Sequence, residues 1–109
     1  MRRGILDVLR ERVVVADGAM GSLLFERGVD SASCYDALNL TDPALVRSIH
    51  QAYAAAGAEV LETNTFGANR VKLGRFDLGH RVREINLRGA ELARAEAGAR
   101  VCPAPCPRV

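Results

Sequence analysis

Two kinds of apolar pattern alternate along this chain. Val13-Val14-Val15-Ala16 is an unbroken, β-branched run that stops at Asp17-Gly18. It predicts a short buried strand covered on both faces, the habit of parallel sheets with helices packed around them. A second and less apolar stretch, Ala58 to Thr63, predicts another strand that runs into the polar turn Thr63-Asn64-Thr65-Phe66-Gly67-Ala68. Elsewhere the spacing is helical. Ile5, Val8 and Leu9 share a face between Gly4 and Arg12, and Met20, Leu23 and Leu24 do so between Ala19 and Arg27, with Gly28 as a natural stop. Thr41-Asp42-Pro43 is a strong helix start, because either of the first two residues can cap and proline has no N–H to leave unpaired in the first turn. Leu45, Val46, Ile49, Ala52, Tyr53 and Ala56 then keep to one face until Gly57. A last pattern, Val82, Ile85, Gly89, Leu92 and Ala93, runs from about Gly79 to Ala97 before Gly98.

The order is therefore strand, helix, helix, strand, helix, helix, which predicts an α/β fold of parallel βα units. In such folds ligands bind outside the carboxyl ends of the strands, the position of Asp17. Two roles compete for that carboxylate: touching a ligand, or capping a helix that begins near Ala19.

Composition narrows the classes. The chain has 109 residues, about half of them apolar, within the range of one domain with some core. Its net charge is +2, with bases scattered among acids, so nucleic acid is not an indicated partner. No apolar run approaches the roughly 18 residues of a membrane span, and the N-terminus lacks the pattern of a signal peptide, which leaves the cytoplasm as the expected compartment. Three cysteines, two of them in the last eight residues, do not suggest a secreted disulfide framework. Cys102 and Cys106, set among prolines, do not complete a four-coordinate metal site, and Cys34 has no second ligand at metal spacing. His50 reads as a packed or surface histidine, Met20 as core, and the register of Glu62 is not fixed by its surroundings.

Asp17-Gly18-Ala19-Met20-Gly21, Leu38-Asn39-Leu40-Thr41 with Pro43, Ile49-His50 with Tyr53, Ala56-Gly57-Ala58, Thr63-Asn64-Thr65-Phe66-Gly67-Ala68-Asn69 and Glu84-Ile85-Asn86 together resemble the N-terminal part of the homocysteine S-methyltransferase domain. That domain occurs in cobalamin-dependent methionine synthase and in bacterial proteins that fuse it to a methylenetetrahydrofolate reductase. The segment from Cys34 to Leu40 and Gly67-Ala68-Asn69-Arg70 are most similar to the fused type. The resemblance spans residues 5 to 98.

It implies a (β/α)₈ TIM barrel that binds homocysteine at its C-terminal mouth beside a zinc ion held by three cysteine thiolates. Zinc lowers the pKa of the substrate thiol so that its thiolate attacks a donated methyl group, with methyltetrahydrofolate or cobalamin among the donors. By position, Asp17 and the backbone at Gly18 match residues that hold the amino-acid end of homocysteine. Thr63, Asn64, Thr65 and Phe66 match the loop that lines the same pocket. The family's zinc cysteines lie on later strands, beyond residue 109.

A barrel needs eight strands and typically about 250 residues, so about two βα units amount to a truncated barrel that cannot close. The isolated chain is expected to be marginally folded and inactive in methyl transfer. Residues 1–98 are expected to form a partial homocysteine-binding domain and 99–109 a proline- and cysteine-rich tail outside the family pattern, one that a slipped reading frame would explain. The readings from other classes are a small α/β module that binds an anion or metabolite at a helix N-terminus, and a non-functional truncated product.

Overall fold

The computed structural model describes residues 4–99, so the expectation for the tail lies outside the described residues, as do Cys102 and Cys106. Six helices account for most of the described chain: α1 (Ile5–Glu11), α2 (Gly21–Glu26), α3 (Leu38–Thr41), α4 (Pro43–Ala55), α5 (Arg70–Gly74) and α6 (Val82–Ala99). A 3₁₀ turn, Gly79–Arg81, leads into α6. None of these helices is long and apolar enough to cross a membrane.

α4 forms where its capping signal stands. The Asp42 carboxylate accepts the Leu45 N–H at 3.3 Å, Pro43 occupies the first turn, and Gly57 follows the helix at φ +109°. Gly28, at φ +96°, does the same after α2. Both glycines adopt the left-handed backbone that side chains with a Cβ resist. α5 is capped by Asn69, whose side chain accepts the Lys72 N–H at 2.9 Å.

The two expected strands depart from expectation. Among the described residues there is no regular strand, only a parallel bridge between Ala16 and Val60 within two extended segments. Three hydrogen bonds secure it: Asp17 N–H to the Val60 carbonyl at 2.9 Å, and the Glu59 and Val60 N–H groups to the Val15 carbonyl at 2.7 and 3.2 Å. The Arg12 guanidinium adds an ion pair to Glu59 at 2.5 Å. Val13 is 85% and Val15 54% exposed, so this run is not buried on both faces. Each segment has one neighbour within the described residues, and a parallel pair without further strands cannot extend its ladder or cover its faces.

Most of the core is built by the helices. α6 packs against α4 and α3, burying Val46, Ile49, Ala54, Ile85, Leu92 and Ala93. Ala68, Leu73 and Ile85 form a second apolar cluster, against which Cys34, Leu40, Leu78 and Val82 pack. Gly89 makes close packing possible on α6: a Cβ there would lie 2.7 Å from Thr65 Cγ2 and 2.8 Å from Asn39 Nδ2.

His50, on α4, is fully buried, and neither ring nitrogen has a hydrogen-bond partner among the described residues. Burial holds its pKa below the ordinary 6.5, while the charge of Glu96 on α6 pulls it back up. Glu96 is itself engaged by Arg47 at 2.9 Å and by Gln51 at 3.1 Å. The unfolded chain therefore takes up a proton at this histidine at a pH where the folded chain does not, and stability falls as pH drops below 6.5. The urea midpoint is expected to fall between pH 7.5 and 5.5, with a slope of at most about 1.4 kcal/mol per pH unit from this group. His50→Leu should flatten that slope; an unchanged slope would assign it to other groups. Asp17 and Asp36, whose pKa values are raised, contribute with the opposite sign at the lower pH where carboxylates titrate.

Candidate functional site

Parallel pairing sends the C-terminal ends of both extended segments to the same side. There the loops after Ala16 and Leu61 enclose a cavity of about 790 Å³. All six residues singled out from the sequence, Asp17, Gly18, Thr63, Asn64, Thr65 and Phe66, line it.

Asp17 bridges the two loops. Its carboxylate accepts the Glu62 N–H, at 3.2 Å to Oδ1 and 3.1 Å to Oδ2. The capping alternative fails on geometry: α2 begins at Gly21, and its N-cap is Met20, with no side-chain capping bond. Asp17's pKa is raised, chiefly by burial and also by the charge of Glu62, against the lowering effect of the Glu62 N–H. A carboxylate half out of water, with a second one beside it, gains from a cation placed between them. Glu62, whose register was open, is exposed and lines the cavity.

The backbone that carries Asp17 is held from behind. Tyr53 of α4 donates its hydroxyl proton to the Ala19 carbonyl at 2.5 Å. A Cβ at position 18 would come within 3.2 Å of that hydroxyl, so glycine lets the loop approach α4 closely. Met20 is half-buried and lines the cavity rather than filling the core.

The second loop divides its work among its four residues. Thr63 and Thr65 share a hydroxyl–hydroxyl hydrogen bond at 2.6 Å. Asn64 is 6% exposed, and its amide N donates to the Tyr35 carbonyl at 3.0 Å and to Asn39 Oδ1 at 3.1 Å. That makes it an anchor for the loop. Phe66 is the reverse: 91% exposed, its ring sits under Lys72 Nζ at 4.4 Å from the centroid.

Sequence reasoning passed over the far wall. Asp36, Lys72, Arg75 and Phe76 complete the cavity, and Cys34 contributes a free thiol to it. Asp36 Oδ1 accepts the Gly67 N–H at 3.1 Å, and burial raises its pKa while that N–H and Lys72 lower it. Cys34 and Asp36 lie in the irregular segment between α2 and α3, Lys72 on the short α5, and Arg75 and Phe76 just after it, where periodicity is weak. The Lys72–Phe66 spacing carried no signal of its own.

Among the described residues no group of three or more His, Cys, Asp and Glu side chains is arranged to hold a metal ion. The described residues do not by themselves fit a zinc centre.

With the geometry in place, similarity decides the family. The homocysteine S-methyltransferase family profile matches residues 14–106. The chain belongs to that family. Among its relatives, the methionine synthase of Mycobacterium tuberculosis is 42% identical over 101 aligned residues, covering 85% of this chain and 8% of the relative. The methionine synthase of Mycobacterium leprae is 40% identical over 101 residues, with the same coverage. The chain thus spans about 8% of the length of these relatives. The matched range includes both loops of the cavity.

Proposed function

We propose that this chain supplies the homocysteine-gripping wall of a homocysteine S-methyltransferase, the loops at the mouth of a (β/α)₈ barrel of which residues 1–98 form about two βα units. One observation carries the reading: the two loops bearing the family motifs converge on a single cavity, with Asp17 in its lining and bonded across to the second loop. The substrate ammonium lies against Asp17 and Glu62, a charge-assisted contact in a partly desolvated setting. Gly18 and the Thr63–Thr65 hydroxyls border the rest of the amino acid. Phe66 covers the approach, and Asn64 holds the loop in place.

On this reading the product is methionine, the metal is zinc on thiolates outside this segment, and the methyl donor is a folate or cobalamin compound bound elsewhere in the protein. The compartment that fits this chemistry is the cytoplasm. The anion-binding alternative is disfavoured, because three carboxylates, Asp17, Asp36 and Glu62, line the cavity and α2 has only six residues.

The test is a titration of the ¹⁵N-labelled chain with L-homocysteine, with glycerol phosphate and AMP as controls. Saturable shifts are expected in the amides of residues 17–21 and 62–67 with homocysteine alone. No methyl transfer is expected from the chain by itself. Shifts produced by the phosphate compounds but not by homocysteine would overturn the proposal.

A further inference from the structure

The extended run from Val13 to Ala16 has one side open. Its bridge to Val60 uses the Val15 carbonyl and the Asp17 N–H, and the Val15 N–H turns to the Glu59 carboxylate at 3.4 Å. Backbone polar groups alternate in direction along an extended chain, so those of Val14 and Ala16 point away from Val60. Neither residue's N–H or carbonyl has a partner among the described residues. Ala16 is exposed and Val14 half-buried, which leaves this edge within reach of another chain.

Proteins commonly blunt such an edge with a charged side chain or a proline. The run from Val13 to Ala16 contains neither, and Val13 and Val15 stand exposed along it. Leu6 and Leu9 of α1, just ahead of the run in sequence, are exposed as well. The second segment offers no matching edge. Leu61, whose backbone groups point away from the bridge, is only 4% exposed.

The open edge is complementary to itself. Turned end for end about Val15, a second copy sets its Ala16 opposite Val14 and its Val14 opposite Ala16, so every free N–H and carbonyl of both residues finds a partner. Val15 then faces its counterpart in a non-hydrogen-bonded pair, where the side chains of antiparallel strands come closest. Charge agrees with this direction. Arg12, still partly exposed in its pair with Glu59, precedes the run, and Asp17 follows it with Glu62 bonded beside it. Antiparallel alignment brings the basic end of each copy to the acidic end of the other, whereas parallel alignment sets acid beside acid. A contact made by the same patch on both copies closes at two chains.

We propose that the Val13–Ala16 edge binds a second copy of this chain, antiparallel and two-fold symmetric about Val15, joining two parallel pairs into one mixed sheet. The inference concerns this edge alone and does not rest on the homocysteine reading.

The test is sedimentation equilibrium of the full chain from micromolar to millimolar concentration. The weight-average mass is expected to rise from one chain toward two and to stop there. Val15→Glu puts like charges face to face at a position that is 54% exposed, so it should keep the helical content seen by circular dichroism while weakening association about tenfold or more. Val15→Lys should do the same. An equimolar mixture of the two variants sets opposite charges across the axis and should associate at least about fivefold more tightly than either variant alone. Leu87→Glu, at a comparably exposed leucine on α6, should leave association unchanged. A chain that stays single over the whole range overturns the proposal and leaves the edge to a different partner. A mass that climbs past two chains, a mixture no tighter than either variant alone, or an equal loss in Leu87→Glu overturns it as well.

Discussion

Asp17→Asn is expected to weaken homocysteine binding by about 2 kcal/mol, a factor of about 30, while leaving the stability of the chain unchanged or slightly raised. The two halves of that expectation come from the same geometry. The carboxylate is partly desolvated and sits beside Glu62, and both effects raise its pKa. In the free chain the ionised form is therefore strained, and a bound ammonium relieves it. Asparagine keeps an oxygen for the Glu62 N–H, now at 3.1–3.2 Å from the carboxylate, but has no charge to offer the ligand. Calorimetric titration and urea unfolding of the same variant separate the two effects. Binding should also weaken on acidification, beginning above the ordinary carboxylate range, because the proton and the ammonium compete for one raised group. If the variant lost stability and kept its affinity, the carboxylate would be a structural element and not a ligand.

What the linear pattern revealed depended on how local each cause was. The cap at Asp42, the proline after it and the left-handed glycines at 28 and 57 act within a few residues, and the structure has each of them where the pattern indicated. The cavity loops were legible through motifs, since residue type and order carry over even where geometry does not. The strands were not. A Val-rich run predicts burial only if neighbours exist to bury it, and Val13 and Val15 face outward beside a single parallel bridge. α3 was missed because a helix of four residues has no period to detect. His50 is buried on α4, which packs against α6, an element far along the chain that leaves no local mark on the sequence around the histidine. The same holds for Asn39 and Asn64. Each looks like an ordinary turn residue until the other is placed against it.

That pair carries the second large effect. Asn39 is fully buried, and its amide N donates to the Asn64 carbonyl at 2.8 Å and the Ile85 carbonyl at 3.1 Å, while its Oδ1 accepts from Asn64 at 3.1 Å. One side chain thus ties α3 to the site loop and to α6 at once. Asn39→Ala is expected to cost about 3 kcal/mol or more, because buried groups on two other elements lose their partner together. Asn39→Asp keeps the volume and replaces the donor with a charge facing two carbonyls, so it should be at least as damaging. A cost below about 1 kcal/mol for the alanine variant would show that the loop is held by other contacts. The consequence reaches the cavity even though Asn39 does not line it. With Asn39 gone, the Asn64 amide keeps the Tyr35 carbonyl as its partner among the described residues, and Thr63, Thr65 and Phe66 lose their fixed positions. Homocysteine affinity measured on whatever fraction of Asn39→Ala remains folded should fall, with faster amide exchange across residues 63–66. The small residue opposite is part of the same device: Gly89 leaves room for the Asn39 amide and the Thr65 methyl, 2.8 and 2.7 Å from where its Cβ would stand. Positioning of the loop from Thr63 to Phe66 is in this way a property of the helical core, set by a buried amide pair of which Asn39 lies outside the cavity lining.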